Sequence, residues 1–223
     1  PHVGDAMLAQ GITTTVTGNC GMSLTPSPAD PTEMYDFMEA VLGSGCGDLK
    51  LHSFRDYLHR LRGCALPVNV ASMIGTGSVK ISVKGFSDTP YSQAELEQAT
   101  GLIEDALDAG AAGVSCGIMY IPECYNSTDE FAAILRPLGK AGRVLTAHIR
   151  GEGDSLVASV REIIEIGKKA GCPVEISHFK CCGMENWRRG IHEAIALIEK
   201  ARAEGQDVTC DFYPYEGGST ALT

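Results

Sequence analysis

No apolar run in the 223 residues approaches the roughly 20 that span a bilayer, so no membrane partner is expected. Basic clusters are missing too: 18 Lys and Arg stand against 28 Asp and Glu, for a formal net charge of −10. Nucleic acid is held through grouped cations at its phosphates, and this balance excludes it as a partner. The chain has no low-complexity tract and no signal-peptide pattern at its head. Its nine cysteines are odd in number and scattered through strands and loops, unlike those of a small stapled scaffold. They read as reduced thiols in a cytoplasmic setting. Cys181 and Cys182 are sequence neighbours, which is poor spacing for a metal pair.

What is present is 44% hydrophobic residues, enough for one domain with a sizeable core, and 26 glycines that suit tight strand-to-helix turns. The spacing predicts a helix over Val3–Gln10 that stops at Gly11, then a β-branched strand over Ile12–Thr17. Gly18-Asn19-Cys20-Gly21 is a tight turn, and Pro26, Pro28 and Pro31 mark a loop. Helices are predicted over Met34–Leu42 and Phe54–Leu61, joined by a glycine-rich linker over 43–47. A strand over Val68–Ile74 turns at Gly75-Thr76-Gly77, and a long helix covers Gln93–Ala109. A strand over Gly113–Gly117 and a helix from Ser127 or Thr128 to about Leu138 follow. Then come a strand ending at His148, a helix over Ser155–Ala170, a strand over Pro173–Ile176, a helix over Arg188–Ala203 and a strand over Val208–Phe212.

Strands that alternate with helices in this way build a parallel sheet with right-handed crossovers. A doubly wound dinucleotide fold wants Gly-x-Gly-x-x-Gly after its first strand, and Gly18-Asn19-Cys20-Gly21 lacks that spacing. The expectation is therefore an α/β fold of the TIM-like (β/α) barrel type, as one domain. A complete barrel takes eight strands and about 250 residues, so this one is expected to be partial, lacking the first and last strands. The strands over Ile12–Thr17 and Val208–Phe212 read as buried, which leads to an expectation of self-association along open edges.

Three strands end on a soft or borderline ligand: Cys20, His148 and His178. In one parallel barrel these ends converge on the face that carries the chemistry. One Cys and two His can bind zinc and leave a fourth position for water. A single His at a strand end is more often structural, but three matching strand ends favour a metal. Arg150 and Lys180 lie two residues beyond His148 and His178, so an extended chain returns them to the same side. Cations there suit an anionic substrate group such as a carboxylate, the alternative for Arg150 being an ordinary salt bridge. His52, His59 and His192 sit in helical contexts and read as surface or packing residues.

Several stretches in order, Gly11-Ile12-Thr13-Thr14, Gly18-Asn19-Cys20-Gly21, Ala147-His148-Ile149-Arg150-Gly151-Glu152-Gly153, Ser177-His178-Phe179-Lys180, Asn186-Trp187 and Asp211-Phe212-Tyr213-Pro214-Tyr215, together resemble the D-aminoacylases of the amidohydrolase superfamily. The resemblance implies zinc-dependent hydrolysis of a small-molecule N-acyl-D-amino acid. It makes Cys20, His148 and His178 the zinc ligands, Lys180 and Tyr213 the grip on the substrate carboxylate, Tyr120 the residue beside the scissile carbonyl and Ser219 a pocket-lining serine.

The sequence also departs from the family. The His-x-His of the family's first strand, ligands of a second metal position, occurs nowhere, and neither does the general-base Asp of its last strand. The family's Gly-His-Gly turn appears as Gly75-Thr76-Gly77, and the flanking β-sandwich is missing. The expectation is one zinc site and a chain inactive by itself. The alternatives are another amidase of the superfamily, dihydroorotase- or hydantoinase-like, and a non-catalytic metal-binding barrel fragment.

Overall fold

The computed structural model describes residues 4–43 and 51–220. Most of the predicted 43–47 linker, together with Val3 at the start of the first predicted helix, lies outside these residues. The elements in order are α1 (Asp5–Ala9), β1 (Thr14–Thr17), α2 (Thr32–Leu42), α3 (Phe54–Arg62), β2 (Asn69–Ser72), β3 (Ile74–Gly75) and α4 (Thr76–Lys84). They continue with α5 (Gln93–Ala109), β4 (Gly113–Gly117), a 3₁₀ turn (Glu123–Tyr125), α6 (Thr128–Ile134) and α7 (Arg136–Ala141). Last come β5 (Val144–His148), α8 (Leu156–Ala170), β6 (Val174–Ile176), α9 (Gly190–Ala203) and β7 (Val208–Cys210).

All strand pairs are parallel, and neighbours in space follow the chain: β1-β2, then β3-β4-β5-β6-β7. Local signals set many of the boundaries. Ser53, Ser92 and Ser127 each close a capping box with the acidic residue three positions on, so α3, α5 and α6 start where the sequence says. Gly110, Gly142 and Gly171 end α5, α7 and α8 in the left-handed conformation.

The register sorts the strand residues into two rows. Val114, Leu145, Val174 and Val208 lie side by side, and so do Cys116, Ala147, Ile176 and Cys210. The buried members of these rows pack into one core with Ile103 of α5, Phe131 of α6, Leu138 of α7, Ile163 of α8 and Ile198 of α9. Ser115, Thr146, Glu175 and Thr209 form the intervening row and point to the opposite face. His148 keeps the parity of Thr146, so it rises from this polar face at the C-terminal end of β5.

Four expectations change. The strand over Val68–Ile74 is two pieces, with β2 on β1 and β3 on β4, and the break at Met73 is where the ladder passes from one neighbour to the other. Gly75-Thr76-Gly77 is not a plain turn: it opens α4, whose run of Gly, Ser, Val and Ile has weak helix propensity and is helical because it is buried. The helix over Ser127–Leu138 is divided by Pro137, which cannot donate into the preceding turn. The two outer strands are only partly buried: Val208 belongs to the core, but Val16 is 47% exposed, and Thr209 and Cys210 are exposed, because each strand has a neighbour on one side only.

Candidate metal centre

The turn after β1 presents Cys20. Its backbone runs left-handed at Gly18, Cys20 and Gly21, with φ of 78°, 57° and 76°. A non-glycine residue in that region is strained unless its surroundings hold it there. The polar row of the sheet does so. Ser115 Oγ accepts from Gly21 N at 3.0 Å and donates to Gly18 O, while Thr146 Oγ1 donates to Asn19 Oδ1 at 3.3 Å. The N terminus of α4 adds Ser78 N donating to Gly21 O at 3.1 Å. Beneath lies Glu123, which accepts from Thr76 Oγ1 and, at 3.1 Å, from Gly117 N.

His178 caps β6 in the same unusual way, with φ of 42°, its N–H donated to the Asp211 carboxylate. These turns bring Cys20, His148 and His178 together, with one ligand atom from each lying within 4.8 Å of the others. Cys20 Sγ is 3.7 Å from His178 Nε2, and the two imidazoles sit 4.5 Å apart, edge to face.

Each histidine is oriented through its other nitrogen. His178 Nδ1 lies 3.0 Å from Glu152 Oε1, leaving Nε2 toward Cys20. His148 Nδ1 lies 3.2 Å from the Tyr120 hydroxyl, and its Nε2 is buried without a hydrogen-bond partner. A buried orphan nitrogen costs about 1–3 kcal/mol. A metal ion shared with Cys20 and His178 would satisfy it, so the residues present fit a zinc-type ion with room for a fourth ligand. Burial, then the charge of His178, pushes His148 down to about 4, so its ring is neutral and ligand-ready. Burial opposes protonation of His178 as well, but its contacts with Cys20 and Glu152 outweigh that and raise it to about 9.

Lys180 comes back beside His178, but through a turn and not along an extended chain, since β6 ends at Ile176 and His178 runs left-handed. Its Nζ is 3.1 Å from His178 Nδ1 and 2.6 Å from Glu152 Oε1, and it lies 5.5 Å from the centre of the Tyr213 ring. Arg150 does not join it. It turns into the α6–α8 side, paired with Glu162 at 2.9 Å and donating to the carbonyls of Cys124 and Asn126, because that carboxylate and those carbonyls form a ready-made fork acceptor. Tyr120 is 6% exposed, and its hydroxyl also lies 3.0 Å from Thr220 Oγ1. Ser219 lines a cavity of about 330 Å³ together with Cys20, Tyr120 and Thr220. Cys181 and Cys182 stand apart as free thiols.

Sequence reasoning passed over Glu152, Asp211, Thr220 and Glu123. Glu152 had a readable signal, being an acid between two glycines four residues beyond a candidate ligand. Glu123 had none, since its partners come from Thr76 and Gly117, far away in the chain.

No family model matches the chain. Curated relatives and solved structures do. The D-aminoacylase of Alcaligenes xylosoxydans xylosoxydans is 38% identical over 216 residues, 96% of this chain and 43% of the relative. The N-acyl-D-aspartate deacylase of the same organism is 35% identical over 226 residues, 96% of this chain and 42% of the relative. A crystal structure of the N-acyl-D-glutamate deacylase of Bordetella bronchiseptica, complexed with zinc and a phosphonate mimic of the tetrahedral intermediate, superposes with a TM-score of 0.86 at 32% identity, over 93% of this chain and 43% of that one. The chain thus spans less than half the length of these relatives. With sequence likeness along nearly all its residues and the same backbone beneath it, the chain belongs to the D-aminoacylase family of amidohydrolases.

Proposed function

We propose that the protein carrying this chain is a zinc-dependent hydrolase that removes the acyl group from N-acyl-D-amino acids, and that these residues form part of its catalytic (β/α) barrel. The observation that carries this reading is the Cys20–His148–His178 cluster with its buried, unpartnered His148 Nε2. Cys20, His148 and His178 hold the ion, which when bound supplies Lewis acidity and a water of lowered pKa.

The chain's own groups do the rest. Glu152 accepts the Nδ1 proton of His178 and fixes the tautomer that turns Nε2 to the site. Tyr120 accepts from His148 Nδ1 in the same sense, so its own proton is free to be donated to the scissile carbonyl oxygen in place of Thr220. Lys180 and Tyr213 receive the substrate carboxylate. They fix one end of the substrate while the carbonyl is fixed at the other, and the choice of the D enantiomer becomes a matter of geometry. Ser219 lines the approach.

Among the described residues no carboxylate stands free beside the cluster, since Glu152 is bound to Lys180 and His178 and Asp211 to the His178 N–H. These 223 residues alone should therefore bind the ion but turn over slowly, a general base being worth about 10²–10⁴-fold. The test is to assay the full-length gene product with zinc on N-acetyl-D-methionine and its L enantiomer. Zinc-dependent release of the D amino acid only is expected. Zinc bound at these residues with no hydrolysis of either enantiomer would leave a non-catalytic metal protein. Activity confined to cyclic amides would place it among the other amidases.

A further inference from the structure

Beside the cavity that touches Cys20 and Tyr120 lies a second one, of about 300 Å³. The two share Thr17, Gly18, Met22 and Val41 as walls. Beyond these, the second is bounded mainly by apolar groups, Leu24, Met38, Leu42, Phe54 and Met73, with Ser23, Thr25 and Tyr57 completing its wall. Val41 and Leu42, on the last turn of α2, are 58% and 47% exposed, so the core does not require them to be apolar. Met22 and Met38 are unbranched thioethers that adapt to chains of different shape.

We propose that this apolar chamber takes the acyl chain of the substrate, and that acyl groups longer than acetyl are preferred. The proposal rests on the deacylase reading. Lys180 and Tyr213, the carboxylate end of the site, follow β6 and β7, whereas the chamber lies at β1 on the far side of Cys20. A substrate with its carboxylate at Lys180 and its scissile carbonyl at the Cys20–His148–His178 cluster sends its acyl group toward β1. The amino-acid side chain branches from the carboxylate side of the amide and is not steered there.

The test measures kcat/KM of the full-length, zinc-loaded protein on N-acetyl-, N-butanoyl- and N-hexanoyl-D-methionine. A rise of about tenfold or more from acetyl to hexanoyl is expected, carried mainly by KM. Val41→Trp, at an exposed position, should erase that rise by lowering kcat/KM for the hexanoyl substrate about tenfold more than for the acetyl one, and Val41→Ala should keep it. A flat series, or a Val41→Trp variant that slows acetyl and hexanoyl substrates alike, overturns the acyl chamber while the deacylase reading stands. If Val41→Trp instead discriminates among D-amino-acid side chains, the chamber belongs to the side chain and the proposal fails. Hydrolysis of no N-acyl-D-amino acid at all removes the deacylase reading and the chamber with it.

Discussion

Glu123 is fully buried beneath the Cys20 turn, and burial pushes its carboxyl up to about 7 against an ordinary 4.5. The fold therefore favours the protonated form. Below pH 4.5 both folded and unfolded chains carry the proton. Between 4.5 and 7 only the unfolded chain gives it up, so stability falls as pH rises, and above 7 the full loss of about 3 kcal/mol is in place. Urea unfolding of the zinc-free chain at steps from pH 5 to 8 should show this slope. Glu123→Gln should flatten it, even though the amide serves Gly117 N–H less well and lowers stability overall. Equal slopes in both proteins would mean that water reaches the carboxylate. Glu152 holds His178 Nδ1 at 3.0 Å, so if the proposed site binds zinc, Glu152→Gln should weaken that binding about 10–100-fold, read by competition with a chromogenic chelator. Lys180→Ala should raise KM about ten- to a hundred-fold for a substrate with a free carboxylate and much less for its amide. Equal losses on the two substrates would show that Lys180 serves to seat Glu152 and not to grip substrate.

At the scale of elements, the site depends on how closely the β1 turn meets the end of β4. A Cβ on Gly117 would stand 2.1 Å from Cys20 O, a backbone atom with nowhere to go. Gly117→Ala should cost about 1–3 kcal/mol in stability and displace Cys20 from the histidines. Thermal unfolding and zinc titration of the variant check the two halves of that statement. A variant that unfolds earlier but binds zinc normally would show that the Cys20 turn is set by its own left-handed backbone and not by β4. The strands that lead to Cys20, His148 and His178 were legible because β-branched or apolar runs that stop at a Cys or His are written locally. So were the helix starts at Ser53, Ser92 and Ser127, where cap and acid lie three residues apart. The helix α4 was not legible. Its residues favour a strand or turn, and they are helical because α2, α5 and β4 enclose them, which is information spread over the whole chain. The destination of Arg150 was hidden for the same reason, since Glu162 and the two carbonyls that capture it belong to other elements.

For the molecule as a whole, the decisive feature is the pair of outer strands. β1 pairs with β2 and β7 with β6, and no described strand lies on the far edge of either. Each edge is a row of N–H and C=O groups open to another chain, and neither strand contains the lysine that natural edges use to discourage such pairing. Apolar groups stand nearby: Ile12 is 43% exposed, Val16 47% and Phe212 75%. The helix α1 offers little cover, since none of its residues is buried. These 223 residues, purified by themselves, should therefore associate, most simply as a two-fold dimer that pairs the edges. Light scattering over a concentration series reads the mass, and hydrogen exchange reads the edges. Slow exchange in β1 and β7 that appears only as the dimer forms is the expected result. A monodisperse monomer whose β1 and β7 amides exchange fast would contradict association. A monomer with both edges protected would assign the cover to the flanking segments, of which 216–220 already reaches the site through the Thr220–Tyr120 hydrogen bond at 3.0 Å.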